Sequence, residues 1–487
     1  MSIQNSLLAC VLACGISLPL PGYAVDLPNM GDTSGAIVSP DEERHMGEEL
    51  MRRIRQSLLL VEDPEVTEYI QSLGYQLVAN SDTPTQNFTF FVLNDNSINA
   101  FAAPGGFIGI NSGLILATEF ESELASVMAH EIVHVTQRHL ARAIEKANKM
   151  NLPATAALIA AIILAGKNPQ VSQAALMTTM AAKAQNQLNF TRAHEEEADR
   201  LGMEMLASAG FNPQGMPMFF EKLQQASRFY DNRLPELLKT HPVTLSRIAD
   251  SRNRAEQYPV KKKFTGTIID NGTYRLIQAK LRVLGSANPA IYIKNFESYI
   301  IKKGKDQATD DEYYGYALAL LAANRYSDAR TQIEKLLKKE PEKIPYIIAM
   351  AKLDMADKHL SEALQNLSAA LDLYPHNHPL TVAYANALLE SGQAGAARIL
   401  LKEHVRRISD NPTLHALLAR AEVGAGYKAD SHQSLAEYYY LSGETHAAIE
   451  QLNIALRLTQ NKDFYRTSRI EARLKQLQAY VIAAEKR

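Results

Sequence analysis

Apolar residues recur at helical spacing along most of the chain, and short β-rich runs lie between residues 88 and 110. Pro40-Asp41-Glu42-Glu43 predicts the start of a helix that runs to about Leu58, because proline and acidic residues favour a first helical turn. Pro64 to Val78 predicts a second helix. Phe88 to Leu93 and Phe107 to Ile110 have the composition of strands, the latter after a Pro-Gly-Gly turn. The pattern predicts a mainly α (α+β) fold with a small β-sheet.

The C-terminal third of the chain repeats with a period of 34 residues. The small residues that recur at this period are Ala317, Ala351 and Ala385, and Ala329, Ala363 and Ala397. This is the tetratricopeptide pattern, in which small residues lie where paired helices cross; the alternative is an irregular helical domain. A further unit fits at Ala436 to Ala455, offset by 51 residues, so we predict a non-repeat helix from about Leu414 to Gly424. Such an α-solenoid offers a surface to a protein partner and implies no chemistry.

One segment carries a recognisable chemical motif, His130-Glu131-Ile132-Val133-His134, in a sequence that predicts a helix. Residues four apart share a helix face, so His130 and His134 can direct two imidazoles at one metal ion. Zinc binds neutral imidazoles and a carboxylate and keeps one position open for water, and Glu131 is then the general base. Because the segment is largely apolar, we expect it to be buried, and buried histidines need a ligand or partner. The motif predicts a zinc peptidase.

A third metal ligand is available about sixty residues downstream, on another predicted helix. Glu195 and Asp199 are four apart and share a face, and Ala198 beside them allows close approach to a neighbouring helix. His194 is a rival ligand because it adjoins Glu195, although it lies about a quarter-turn away. We expect His139 to point to the wrong side of the first helix and to be a surface or core histidine.

The two motifs together resemble the zinc peptidase family that includes HtpX and the prenyl-protein (CAAX) endopeptidases, and residues 99–114 resemble its strand and turn ahead of the metal helix. The resemblance implies a zincin-like fold with one zinc ion per chain, held by His130, His134 and Glu195, and with Glu131 as base. It implies that Asp199 orients a ligand histidine or donates a proton late in the reaction. It also implies an edge strand beside the zinc that holds substrate backbone by strand addition.

The segment His241-Pro242-Val243-Thr244-Leu245-Ser246-Arg247 matches another pattern that recurs in this family. By resemblance, Arg247 is a candidate to stabilise the oxyanion of the tetrahedral intermediate, and so is His241. A second role for His241 is that of an inhibitory fourth metal ligand in zinc's open position. The alternative for His241-Pro242 is a turn that begins a helix.

The N-terminal residues predict export. The apolar run from Leu7 to Leu20 ends before Gly22 and Ala24, which have the spacing that a signal peptidase reads, and we expect cleavage near Ala24 and a periplasmic location. Residues 1–6 contain no lysine or arginine, which is atypical of a signal peptide. The alternative is a lipoprotein modified at Cys14. Cleavage after Ala24 would remove both cysteines, so structural disulfides are not expected in the mature chain.

Composition and charge exclude some function classes. The net charge is −2 and the pI is about 6.7, so no attraction to nucleic acid is expected. The apolar stretch from Leu152 to Gly166 is shorter than the roughly twenty residues that span a bilayer. We expect residues 152–182 to form buried or surface-docked helices near the active site, with peripheral membrane contact as the alternative.

We therefore predict a signal peptide (1–24), a zinc metallopeptidase domain (25–260), connecting helices (261–307) and a tetratricopeptide-repeat domain (308–487). The resemblance implies an exported endopeptidase of outer-membrane protein quality control, which degrades misassembled β-barrel proteins and assists the assembly of others. The implied partners are barrel precursors and, through the repeats, the barrel assembly machinery. The alternative is a largely self-inhibited chaperone or docking module of that machinery.

Overall fold

The computed structural model describes residues 39–143, 192–229, 235–258, 272–285, 288–303, 307–459 and 463–485. The predicted signal peptide with Cys10 and Cys14, and the apolar segment 152–182, lie outside the described residues. Within the described ranges, no helix combines the length and the apolar character needed to cross a membrane.

The two N-terminal helices are confirmed as α1 (Pro40–Ser57) and α2 (Pro64–Val78). A capping box starts α1, since the Ser39 hydroxyl accepts from the Glu42 N–H and the Glu42 carboxylate accepts from the Ser39 N–H. Asp63 caps α2 through two backbone N–H groups.

Three strands form the small sheet: β1 (Thr89–Leu93), β2 (Ala100–Ala103) and β3 (Phe107–Asn111), in the order β1-β3-β2. The two predicted strands correspond to β1 and β3. The central strand β3 pairs parallel with β1 and antiparallel with β2. Backbone hydrogen bonds to residues 59–61 cover the outer edge of β1. The strand at the opposite edge is β2, and the metal-motif helix packs beside it.

Behind the sheet lie the helices of the first core: α3 (Ser112–Ala117), α4 (Glu121–Thr136), α5 (Arg192–Ser208), α6 (Gly215–Phe229), α7 (Glu236–Thr240) and α8 (Leu245–Gln257). Every residue of α4 from Glu121 to Val135 is buried, which confirms the expectation that the motif segment is internal. Gly202 of α5 lies against the backbone of His130, and an added Cβ would be 3.3 Å from the His130 nitrogen. This glycine therefore lets α4 and α5 cross closely.

The helices α9 (Thr273–Leu284) and α10 (Pro289–Lys303) join the two parts of the chain. One face of α9 belongs to the first core through Tyr274 and Ile277, and its other face packs into the repeats through Leu276. Because α9 is buried on both sides, it links the peptidase rigidly to the first repeat.

Ten helices form the repeats: α11 (Asp310–Ala322), α12 (Tyr326–Lys339), α13 (Ile344–Ala356), α14 (Leu360–Leu373), α15 (His378–Glu390), α16 (Ala394–Val405), α17 (Pro412–Gly424), α18 (Lys428–Leu441), α19 (Thr445–Thr459) and α20 (Phe464–Glu485). The first helices of four successive pairs begin 34 residues apart, and so do the second helices. The prediction of a non-repeat helix near Leu414 to Gly424 is wrong, because α17 begins in register and pairs with α18. The buried Ser431 occupies the position that alanine fills in the preceding unit.

The repeats contact the N-terminal helices of the peptidase part. Arg52 of α1 lies between the rings of Tyr440 and Tyr480, at 5.0 and 4.9 Å from their centroids. The Arg55 guanidinium donates to the Leu441 carbonyl at 2.9 Å, and α2 packs on α15. The peptidase and the repeats are therefore in direct contact.

Candidate metal centre

Four buried side chains converge in the first core, namely His130, His134, Glu195 and His241, each offering one ligand atom within 4.8 Å of all the others. They come from three separate stretches of the chain: the helix α4, the helix α5 and the turn after α7. The structure thus brings together the three residues predicted as metal ligands and the one predicted as an inhibitory fourth ligand.

The α4 helix presents its two histidines as the motif predicts. The Nε2 atoms of His130 and His134 are 3.0 Å apart, and both rings lie on the face of α4 that α5 covers. Glu195 enters from α5, with one carboxylate oxygen 3.6 Å from the His130 Nε2 and the other 3.6 Å from the His134 Nε2. Ala198, on the same helix, is fully buried and allows this approach.

His241 completes the group from the end of α7. Its Nδ1 atom lies 2.9 Å from the Glu195 Oε1 and 3.4 Å from the His130 Nε2. Two backbone hydrogen bonds hold this turn, since the Leu237 N–H donates to the Ile98 carbonyl and the His241 N–H donates to the Leu237 carbonyl. The His241 ring therefore sits where the open side of a three-ligand site would be.

The donor set fits a tetrahedral divalent cation. Bonds of about 2.0–2.1 Å to nitrogen and oxygen give tetrahedral edges of roughly 3.3–3.4 Å. Five of the six donor–donor pairs lie between 2.9 and 3.6 Å, and all four ligand atoms lie within 4.8 Å of one another. Imidazole and carboxylate groups at these spacings can hold a metal ion without rearrangement of the helices that carry them.

Asp199 and Arg247 hold the ligands from behind. The Asp199 Oδ1 is 3.0 Å from the His130 Nδ1, which leaves the His130 Nε2 directed at the centre. Arg247 donates two hydrogen bonds of 2.7 Å to Asp199, one of 2.8 Å to the Pro242 carbonyl, and is 2.9 Å from Glu195. Of the two roles predicted for Asp199, this geometry corresponds to the orientation of His130. The guanidinium of Arg247 faces the carboxylates, and its role at an oxyanion stays a prediction.

These contacts shift the proton affinities of the site. Burial by itself raises the pKa of Asp199, but the hydrogen bonds from Arg247 and His130 bring that pKa below its ordinary value. Burial lowers the pKa of His130, but the partners Asp199 and Glu195 raise it to about 10. A proton therefore occupies His130 when no cation does, and metal binding must displace it, so metal affinity falls as pH falls.

Glu131 is the one carboxylate of the group without a compensating contact. It is 0 % exposed, and neither of its oxygens has a hydrogen-bond partner among the residues that the structure describes. The His241 Nε2 lies 3.6 Å from its Oε1. Burying a carboxylate in this way is costly, so Glu131 is available to contact a ligand of this centre.

His139 was predicted to be a surface or core histidine, and the structure places it beside the ligands. It is 0 % exposed, and its Nδ1 lies 2.8 Å from the Nδ1 of His134. Its Nε2 lies 3.1 Å from the Glu197 Oε2, and burial lowers the pKa of His139 to about 4. The rival ligand His194 stacks on His139 at 4.4 Å and lies outside the converging group. The only sequence signal for His139 is its proximity to the motif.

A groove of about 450 Å³ opens next to His134. It runs between the end of β2, the turn after β2 and the segment that follows α4, and Ala102, Ala103, Val135 and Leu140 contribute to its lining. The groove therefore lies between the end of the edge strand β2 and the metal ligand His134.

The comparisons with known proteins agree with this arrangement. The family profile of peptidase family M48 matches residues 64–255, and the tetratricopeptide repeat profile matches residues 354–421. The chain is 36% identical to the β-barrel assembly-enhancing protease of Escherichia coli K12, over 93% of this chain and 92% of that protein. It is also 36% identical to the protein of the same name from Yersinia pestis, over 88% and 87%. A mitochondrial metalloendopeptidase OMA1 from Arabidopsis thaliana is 30% identical over 45% of this chain and 43% of its own length.

Proposed function

This chain belongs to the family of β-barrel assembly-enhancing proteases, metalloproteases of peptidase family M48 with tetratricopeptide repeats, and from that premise we propose that it is an exported zinc endopeptidase acting on outer-membrane β-barrel proteins. The observation that carries the proposal is the convergence of His130, His134 and Glu195 around a buried Glu131 whose oxygens have no hydrogen-bond partner among the described residues.

Zinc is the proposed metal because two or three imidazoles and one carboxylate suit its preference for nitrogen and oxygen ligands in a tetrahedral arrangement. When bound, zinc supplies Lewis acidity toward a carbonyl and makes a coordinated water more acidic. Glu131 is positioned to take the proton of the attacking water, since its carboxylate adjoins the same centre. Asp199 keeps the His130 ring oriented, and Arg247 fixes both Asp199 and Glu195.

The proposed substrates are barrel proteins that have failed to assemble, which the enzyme would degrade. Such precursors expose strands whose backbone groups are unpaired. The edge strand β2 lies beside α4 and along the groove at His134, so an extended segment paired with β2 would lie across the metal centre. The repeats would dock clients or the barrel assembly machinery, and they would thereby assist assembly as the names of the relatives state.

The proposed location is the periplasm, after cleavage of the signal peptide near Ala24. The support is the apolar run with small residues at its end. Mass spectrometry of the protein from a periplasmic extract checks this: a mature N-terminus near Val25 is expected, and an intact Met1 would contradict it.

The decisive test is Glu131→Gln. The amide cannot take a proton, so cleavage of an unfolded barrel substrate should fall by about 10²–10⁴-fold. The zinc content measured by elemental analysis should stay near one ion per chain, because the ligands are intact. Glu196→Gln, at an exposed glutamate next to a ligand on α5, is the matched control and should retain activity. Persisting cleavage by Glu131→Gln would exclude this residue as the base.

A second candidate function, a self-inhibited docking module, is favoured by the position of His241. Its ring supplies one ligand atom of the donor group, and its Nε2 lies 3.6 Å from the Glu131 Oε1. A resting enzyme held this way would be slow until the turn after α7 moves. His241→Ala should then raise the cleavage rate several-fold, while the exposed His359→Ala should not. An unchanged or lower rate in His241→Ala would contradict the inhibitory role.

A further inference from the structure

We propose that His139 is a positioning residue, which fixes the ring of the metal ligand His134 through a hydrogen-bonded chain that ends at Glu197. The inference deepens the proposed function and rests on the metal centre described above. The chain has two links, from Nδ1 to Nδ1 at 2.8 Å and from the His139 Nε2 to the Glu197 Oε2 at 3.1 Å.

The chemistry of the ligand determines the direction of both hydrogen bonds. If the His134 Nε2 holds a metal ion, the proton of a neutral His134 ring must be on Nδ1. That N–H can bond to His139 only if the His139 Nδ1 is an unprotonated acceptor. The His139 proton is then on Nε2, where it is donated to the carboxylate of Glu197. One tautomer of each ring satisfies both of these hydrogen bonds, and that tautomer of His134 is the metal-binding one.

The backbone between His134 and His139 has an unusual conformation that brings the two rings together. α4 ends at Thr136, and Arg138 has φ of 52°, in the left-handed region that few non-glycine residues adopt. This turn brings His139 back under His134, which a continued helix would not do at a spacing of five residues. An ion pair of 2.6 Å between Arg138 and Glu43 of α1 holds the turn.

The two ligand histidines of α4 are oriented in different ways. His130 contacts the carboxylate of Asp199 directly, at 3.0 Å. Glu197 is two residues from both Glu195 and Asp199, so it lies on another side of α5 and cannot reach His134 itself. The imidazole of His139 bridges that gap. A purely packing role would not require a nitrogen acceptor at this position, and an apolar ring would fill the same space.

The test measures zinc affinity, by competition with a chromogenic chelator, for full-length protein carrying His139→Leu, His139→Asn or Glu197→Gln. Because outer contacts to a ligand affect metal affinity by about 10–100-fold, the leucine variant should bind zinc that much more weakly. Asparagine places an oxygen acceptor near the position of Nδ1, so it should restore affinity to within about threefold of wild type. Glu197→Gln should show a smaller loss. His378→Leu, at a buried histidine of the repeats, should bind as wild type does.

The outcomes separate this inference from the function it rests on. Wild-type affinity in His139→Leu, or equal losses in the leucine and asparagine variants, would overturn the positioning role. If His139→Leu does not fold, Glu197→Leu, which removes the acceptor of the second hydrogen bond, decides in its place, and a zinc affinity equal to that of wild type would contradict the positioning role. If wild-type protein itself binds no zinc, the proposed function fails first and the inference fails with it.

Discussion

Two groups of buried charged side chains in the peptidase part differ in whether their charges are paired. The first group is the metal centre, and the second is a cluster of charged side chains where α2 meets the connecting helix α9 and the repeats. Lys280 contacts Asp63 at 3.1 Å and also Glu65, and the Tyr314 hydroxyl donates to Glu65 at 3.2 Å. Burial lowers the pKa of Lys280, but Glu65 and Asp63 outweigh burial and raise it above its ordinary value. Every charge here has an opposite charge beside it.

The metal centre is built on the opposite plan. Four of its donor groups converge on one point, and Arg247 pairs with Glu195 and with Asp199 at the side of this group. Glu131 has no hydrogen-bond partner in the described part of the chain. Because buried polar groups without partners are costly, a bound ion should stabilise this arrangement.

The difference in charge pairing distinguishes a cluster that connects two parts of the structure from a site that can bind a ligand. Where acids contact a buried lysine, as Asp63 and Glu65 contact Lys280, the cluster connects the peptidase to the repeats. Where acceptors converge without a cation, the cluster retains the capacity to bind one. Burial and charge count alone do not distinguish the two; the direction of the donor atoms does.

Removing the cation of the paired cluster should have the largest effect on stability. Lys280→Met leaves Asp63 and Glu65 buried without their main counter-charge, which should lower the free energy of unfolding by about 3–5 kcal/mol. Urea denaturation followed by circular dichroism measures this. Lys338→Met, at an exposed lysine of α12, should change it by less than about 0.5 kcal/mol. A loss below 1 kcal/mol in Lys280→Met would show that the cluster does not join the two parts.

Removing the metal should have the next largest effect. A cation at a hundredfold excess over its dissociation constant stabilises the folded chain by about 2.7 kcal/mol, so chelation should lower the thermal midpoint accordingly. Calorimetry with and without a chelator measures the shift. The shift should persist in Glu131→Gln, which keeps the ligands, and disappear in His134→Ala, which removes one. A chelator-independent midpoint would contradict the view that the donor group needs an ion.

The sequence was sufficient for those site residues whose geometry is local. His130 and His134 converge because they are four apart on one helix, and Glu195 and Asp199 share a face of α5 for the same reason. His139 is a core histidine outside the ligand group, as predicted, but its contact with His134 was missed because helical periodicity was carried past Thr136, whereas the left-handed Arg138 reverses the chain there. A lone arginine gives no sequence signal for that conformation, since glycine is its usual occupant.

The repeats show a similar limit. The period of 34 residues could be read from alanines, but the alignment failed where Ser431 takes the place of alanine. The helix starts and the turns follow the 34-residue period more regularly than the alanines do. One residue in the turn of each of four helix pairs has a positive φ, namely Asn324, Lys358, Gly392 and Gly426. The contact of Lys280 with Glu65 could not be predicted, because 215 residues separate them and neither lies in a motif.

The smallest expected effect concerns Glu422, a buried carboxylate of the repeats whose charge is only partly compensated. Burial, with a smaller contribution from Asp430, raises the pKa of Glu422 to about 7, although the Ser434 hydroxyl donates to it at 2.7 Å. A carboxyl whose pKa is raised on folding contributes stability below its ordinary pKa of 4.5, and that contribution is lost as pH rises through 7.

Glu422→Gln keeps the acceptor for Ser434 and removes the ionisation. Relative to wild type, this variant should therefore gain about 1–2 kcal/mol of stability between pH 5 and pH 8, measured by urea denaturation at both values. Glu450→Gln, at an exposed position of α19, should show no such gain. A gain in stability at pH 8 would mean that the charge of Glu422 is less well compensated than that of Glu65, because its single hydroxyl partner does not offset it. If the variant and wild type differ in stability by the same amount at both pH values, the charge of Glu422 is already compensated. Arg398, which lies 3.2 Å from Asp430, would then compensate Glu422 as fully as Lys280 compensates Glu65.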